Sequence, residues 1–176
     1  MVGLKHGVNL LVDYDSEWPI AFEEERARIQ SVVGDVLRGI EHYGSTAVVG
    51  LRAKPIIDIL LGVTPLGNWI RCRDPLETLG YDYAEDAGGP GHYIFGRGRD
   101  LSERTHLVRV VEFKGQSWRS SLAFRDALRE DELLRTKYVE MKERAATLAP
   151  IGRAKYNELK HLFIERFVTQ LGQFST

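Results

Sequence analysis

The sequence predicts an α/β (α+β) domain, a mixed β-sheet flanked by helices with a helical C-terminal segment. Three observations carry this. Residues 55–63 read Pro-Ile-Ile-Asp-Ile-Leu-Leu-Gly-Val, a near-continuous apolar run of the kind that forms a central strand buried on both faces. Before it, Trp18, Phe22, Ile29, Val33 and Val36 recur at helical spacing and make one apolar stripe. After residue 115, three more such stripes follow one another. A helix, then strands with short helices, then a run of helices is the order of a sheet covered by helices.

Each element has its own local reason. Residues 1–12 are a mildly apolar lead-in. Ser16 is placed to cap the first helix, and Pro19 is tolerated in its first turn. Glu23, Glu24, Glu25, Arg26 and Arg28 are assigned to the helix's other faces, and the early negative charge suits its dipole. A strand over 40–43 closes at Gly44. Residues 45–54 form a compact segment with helical potential at 46–51. Asp74-Pro75-Leu76-Glu77 reads as a helix start, with Asp74 as cap, Pro75 as first residue and Gly80 as the stop. Residues 84–92, with Gly88, Gly89, Pro90 and Gly91, demand a loop. Residues 93–95 and 105–113 read as strands joined through Gly96-Arg97-Gly98-Arg99-Asp100.

The first of the late helices is marked by Trp118, Leu122 and Leu128, and the second by Leu134, Tyr138, Met141, Ala145 and Leu148. Pro150 and Gly152 break the pattern, and Tyr156, Leu159, Phe163, Phe167 and Leu171 mark the third. With no internal repeat and no long linker, residues 1–176 are expected to be one domain.

Composition narrows the function. Lys plus Arg number 24 and Asp plus Glu 25, a formal net charge of -1, which argues against nonspecific nucleic-acid binding. The single cysteine, Cys72, permits neither an internal disulfide nor a cysteine zinc site, which suits a reducing compartment. No window approaches the ~20 apolar residues of a membrane span, and the N-terminus lacks the apolar stretch of a signal peptide. The chain is expected to be cytoplasmic, without a membrane partner.

The chemistry concentrates in residues 44–59. A Gly-Ser turn after a strand offers backbone N–H groups and a hydroxyl to an anion, and a helix start beyond it adds positive potential. Asp58 lies inside an apolar strand, where a bare carboxylate is costly unless a hard cation or a basic side chain answers it. Phosphate on one side of a metal and carboxylate on the other is a common assembly for phosphoryl transfer. The plain alternatives are an ordinary turn at Gly44-Ser45 and a salt bridge from Asp58 to Arg52, Lys54 or Arg109. His42 and His106 read equally as hydrogen-bonded strand histidines or as partners of Asp58 in a metal centre. Arg97, Arg99, Arg104 and Arg109 gather around one hairpin, as phosphate donors or as a charged sheet edge.

The run Ile40-Glu41-His42-Tyr43-Gly44-Ser45-Thr46-Ala47-Val48, continued by Lys54-Pro55-Ile56-Ile57-Asp58-Ile59, resembles the signature of the GrpB family. The resemblance extends to Trp18, Phe22, Arg104-Thr105-His106, Trp118, residues 122–129, Tyr156, Lys160 and Phe163-Ile164. By fold that family is allied to the nucleotidyltransferases. The resemblance therefore implies a nucleoside triphosphate substrate, Mg²⁺, and nucleotidyl transfer to an acceptor hydroxyl on a small molecule. On that pattern Gly44 and Ser45 are the phosphate-binding turn and Asp58 the first metal carboxylate. Leu60 stands where the second carboxylate belongs. Glu112 is read as the third, completing the metal shell or acting as base. Lys54, Arg104 and Arg109 are read as phosphate-neutralising donors. His106, on a strand beside that of Asp58, is expected to face the same cleft. Two rival readings stand beside this one. A non-catalytic nucleotide-binding or interaction module is favoured by Leu60. A His/Asp metal-dependent phosphohydrolase would use His42, Asp58 and His106.

Overall fold

A computed structural model describes residues 2–99, 102–152 and 154–173, the last four by backbone alone, so Asp100 and the side chain of Leu171 lie outside the described residues. Its centre is a five-stranded mixed sheet. The strands are β2 (Leu37–Tyr43), β3 (Ile57–Val63), β7 (His106–Glu112), β5 (His92–Arg97) and β4 (Asp82–Tyr83), in that spatial order. β3 and β7 run parallel and the other neighbours antiparallel. A separate antiparallel pair joins β1 (Leu4–Lys5) to β6 (Glu103–Arg104). The helices are α1 (Glu17–Val33), α2 (Ile70–Thr78), α3 (Gln116–Glu130), α4 (Glu132–Leu148) and α5 (Ala154–Gln173). None of the described helices is long and apolar enough to cross a membrane.

The two-residue period of a strand sorts side chains onto two faces. Ile57, Ile59, Leu61 and Val63 of β3, with Val108 and Val110 of β7, form a core with Trp18, Phe22, Ile29 and Val33 of α1 and with Cys72 and Leu76 of α2. Burial pushes the Cys72 thiol up to about 11, which leaves it unreactive. Asp58, Leu60 and Gly62 alternate onto the opposite face, and the parallel register sets Leu107, Arg109 and Val111 beside them. Leu60 and Val111 pack there against Trp118 of α3. Val48 and Leu51 form a third cluster with Phe124, Leu128 and Tyr138 from α3 and α4.

Trp118 reaches the sheet because two strand residues lack side chains. A Cβ added at Gly62 would stand 2.8 Å from ring atoms of Phe113 and Trp118, and one at Gly39 would stand 2.7 Å from the same rings. Gly62→Ala is therefore an overpacking change, expected to cost about 1–3 kcal/mol. A lower urea midpoint with an unchanged denaturant slope would report it.

Four local expectations differ from the structure. Ser16 makes no capping bond; Asp15 Oδ1 instead accepts from the Glu17 N–H at 3.0 Å. α2 begins at Ile70, after a 3₁₀ turn at Leu66–Trp69, and Pro75 lies inside it. Cys72 and Leu76, four residues apart and both fully buried, form the inward face of α2, so the turn before Asp74 must be helical as well. Residues 46–51 yield only the 3₁₀ turn Ser45–Ala47. Glu25, assigned to a solvated face, is 2% exposed. It occupies the i+7 place in the stripe from Trp18 and so faces the sheet with its apolar neighbours.

Candidate functional site

Tyr43, the last residue of β2, is paired with Asp58 near the start of β3. Gly44 then turns the chain with φ 72° and ψ −167°, a conformation that L side chains rarely adopt. A Cβ at Gly44 would also stand 2.5 Å from Asp58 Oδ2. Glycine is thus required twice, and its absent side chain lets the turn press against the carboxylate.

Ser45 follows, buried, at the start of the 3₁₀ turn. Its Oγ accepts a hydrogen bond from Lys142 Nζ of α4 at 3.0 Å. Lys142 is only 2% exposed; it also donates to the Arg52 carbonyl at 2.8 Å and lies 5.2 Å from the centre of the Tyr138 ring. Burial pushes its pKa well below the usual lysine range, with Lys160 acting in the same direction and Asp58 against it. Lys54 donates to Asn9 Oδ1 and sits 3.6 Å from the centre of the Tyr156 ring. Asn9 in turn donates to the carbonyls of Ala149 and Gly152, both at 2.6 Å, which ties the N-terminal segment to the α4–α5 junction.

Lys160 of α5 completes the group. The Tyr138 phenol, then Asp58, Tyr156 and Tyr43, hold its pKa above the usual lysine range against the effect of burial. Burial raises the proton affinity of Asp58, and the positive charges of Lys160, Lys54, Lys142 and Arg109 oppose it. Ser45, Lys54, Asp58, Arg104, Lys142 and Lys160 thus line a cavity of about 140 Å³. A larger cleft of about 700 Å³ opens beside it, between Gly44, Arg109 and the facing sides of α3 and α5, and Lys160 borders both.

Of the residues read from the sequence, the structure places Gly44 against Asp58 and gathers Ser45, Lys54 and Arg104 around that carboxylate; Arg109 opens onto the larger cleft. The Arg104 guanidinium already donates to Asp82 Oδ2 at 2.8 Å, so part of its charge is engaged.

Glu112 and His106 are elsewhere. Register pairs His106 with Ile57 and Glu112 with Val63, so both lie on the α1 side of the sheet, opposite Asp58. Glu112 is also five residues along β7 from Leu107, the partner of Asp58, or about 16 Å at ~3.3 Å per residue. The two carboxylates therefore cannot share an ion.

His106 Nδ1 meets Thr105 Oγ1 at 2.9 Å and Arg97 Nη2 at 3.0 Å. A guanidinium only donates, so Nδ1 accepts. Burial, then Arg97, Arg28 and His42, push His106 down to about 3. His42 stacks on Phe22 at 4.7 Å and meets Thr46 Oγ1 at 3.0 Å; burial, then Arg129 and Arg125, push it down to about 4. Both are neutral core imidazoles, and a centre made of His42, Asp58 and His106 is not assembled.

Lys142 and Asn9 escaped the sequence reading, and Lys160 entered it only as part of the resemblance. A signal existed for Lys142. Tyr138, Lys142 and Ala145 are buried at i, i+4 and i+7, a lysine on the apolar stripe of its own helix.

The family resemblance implies Mg²⁺, and the donor set at Asp58 does not fit it. Magnesium is held by carboxylates and phosphates. The same-face neighbours of Asp58 on β3 and β7 are Leu60, Leu107 and Arg109, none of them acidic. The charges that act on Asp58 are four basic side chains, which repel a dication. Among the described residues, no group of three or more His, Cys, Asp or Glu is arranged to hold a metal ion.

A mixed sheet with a strand-end Gly-Ser turn set against a carboxylate on the next strand defines a domain of the nucleotidyltransferase fold. The crystal structure of the Cid1 poly(U) polymerase bound to MgGTP shares that fold with a TM-score of 0.52 at 10% identity, over 84% of this chain and 50% of that one. The chain belongs to the GrpB family, whose model, described as GrpB protein, matches residues 9–170. It is 30% identical over 174 residues to the glutamate-rich protein GrpB of Alkalihalophilus pseudofirmus, covering 97% of this chain and all of that one. It is similar in structure to the conserved protein GrpB from Enterococcus faecalis, with a TM-score of 0.75 and 29% identity over 90% of this chain and 99% of that one.

Proposed function

We propose that this chain binds a nucleotide by its phosphates at the Gly44-Ser45 turn, with the nucleoside in the cleft between α3 and α5. The observation that carries this reading is the turn itself. It is packed on Asp58, its hydroxyl is held by the buried Lys142, and it stands where a small cationic cavity meets a larger cleft. Ligand clefts span about 300–1,000 Å³, and the larger space falls in that range. The likeness of fold to a polymerase bound to MgGTP supports a nucleotide as the ligand class.

Binding is better supported than transfer. Nucleotidyl transfer to a small-molecule hydroxyl relies on paired metals that clamp the attacking and leaving oxygens. Here Leu60, Leu107 and Arg109 hold the β3 and β7 positions beside Asp58, and Glu41, on the same face in β2, is engaged by Arg125. The chain therefore reads as a nucleotide-binding module with at most weak transferase activity.

Calorimetric titration with ATP and UTP tests this. Wild type is expected to bind at least one of them. Gly44→Ala is expected to bind it at least about tenfold more weakly, because the new Cβ both strains the backbone and displaces the Asp58 carboxylate. A wild-type protein that binds neither nucleotide would overturn the reading.

A further inference from the structure

We propose that the Asp58 cavity receives the terminal phosphate of its ligand free of metal, with Lys54, Lys142 and Lys160 supplying the positive charge that divalent cations supply in a metal-dependent transferase. The inference rests on the reading that the Gly44-Ser45 turn receives phosphate, and it adds what neutralises that phosphate.

The three lysines come from separate parts of the chain, the segment before β3, α4 and α5, and converge on one cavity. Asp58 is the single carboxylate in its wall among the described residues. Charged groups taken out of water need an opposite charge, and the wall is richer in basic side chains than in carboxylates. Lys142 is the sharpest case. It is almost fully buried, and its two hydrogen-bond acceptors, the Ser45 hydroxyl and the Arg52 carbonyl, are both uncharged. In its ammonium form Lys142 has three donors and only these two acceptors among the described residues, so a phosphate oxygen at the third would hold the charged form that burial disfavours. A terminal phosphate supplies the missing elements together, with a charge near −2 and three strong acceptor oxygens. A phosphate already wrapped by Mg²⁺ brings less negative charge and a hydrated cation into a wall of lysines, which is the poorer fit.

The consequence is an inverted metal dependence. The polymerase of like fold was crystallised with MgGTP; this cavity should hold phosphates best without the metal. The probes are ATP and sodium pyrophosphate, each titrated calorimetrically in EDTA and in millimolar Mg²⁺. The proteins are wild type, Lys142→Met and Lys160→Met, with melting curves to confirm folding. Methionine keeps the length and apolar packing of a lysine stem, so the buried position remains filled. The expected result is ATP binding in EDTA at least as tight as in Mg²⁺, weakened by added salt, and reduced at least about tenfold in either variant. Binding of ATP that requires Mg²⁺ and is unchanged in both variants would overturn this inference and leave the nucleotide reading standing. Metal-free binding of pyrophosphate without any binding of ATP would uphold the lysine site and overturn the nucleotide reading. Binding of neither probe under either condition overturns both.

Discussion

Acidification from pH 7 to pH 4 is expected to strip this protein of several kilocalories per mole of folding stability, most of it before the carboxylates begin to titrate in bulk. The cause is the histidine pair on the α1 side of the sheet. Burial holds His42 down to about 4 and His106 down to about 3, against 6.5 for an unperturbed imidazole. Below pH 6.5 the unfolded chain takes up protons that the native state refuses, one at each of these two histidines and a smaller share at His92, which burial also lowers, so stability falls as pH falls. At about 1.4 kcal/mol per unit of separation, each histidine removes roughly 3 kcal/mol by pH 4. Asp58 works with the opposite sign, because burial makes the native state hold its proton more tightly than the unfolded chain does. As a single group it offsets only part of the loss.

Urea unfolding at half-unit steps from pH 7 to pH 4 measures the slope. Two protons correspond to about 2.7 kcal/mol per pH unit, and His42→Gln or His106→Gln should each halve it. A stability curve that is flat between pH 6.5 and pH 4 would show that these imidazoles protonate freely in the folded protein.

Glu25→Ala is the second change with a large expected effect, a loss of about 3–5 kcal/mol. Glu25 accepts from the Tyr81 hydroxyl at 2.9 Å, from Arg97 Nη2 at 2.7 Å and from Arg28 Nη1 at 3.0 Å. Arg97 is the vulnerable partner. It lies mostly under the surface against His106, and its Nε has no hydrogen-bond partner among the described residues. Without Glu25 it is a buried cation beside an imidazole that cannot answer its charge. The double variant Glu25→Leu with Arg97→Met removes both charges together and should regain most of the loss, because a buried ion pair is often replaceable by apolar groups of similar volume. A single variant within 1 kcal/mol of wild type in urea unfolding would mean that water already reaches this network.

The parts of the fold that local pattern determines were legible. The apolar run around Asp58, the strand ending at Gly44, the stripe of α1 and the family signature over 40–59 all lie where the sequence puts them. Pairing was harder to read. A strand's period tells which residues share a face with each other; it does not tell which face of the neighbouring strand they meet, and a slip of one residue exchanges the two. His106 and Glu112 are both even steps from Ile57's partner position, so they fall together on the α1 side, away from Asp58. Lys142 and Glu25 were missed for a related reason. Charged residues on helices are assigned to water unless a specific tertiary partner is known, and their partners, Ser45 and Arg97, are 97 and 72 residues away. The start of α2 was misread because the Asp-Pro-x-Glu pattern satisfies a local rule that the inward face of Cys72 and Leu76 overrides.

The cavity wall also has a topological meaning. Lys5 and Val8 approach it from the first ten residues, Ser45 to Asp58 from the middle, and Lys142, Tyr156 and Lys160 from far along the chain. Asn9 already laces the first of these stretches to the last. An anion held there closes a loop through all three, so it works as a removable clasp on the tertiary structure. Undocking α5 and emptying the cavity then become one event, and a protease that samples the opened form would find its cleavage sites masked whenever the clasp is shut.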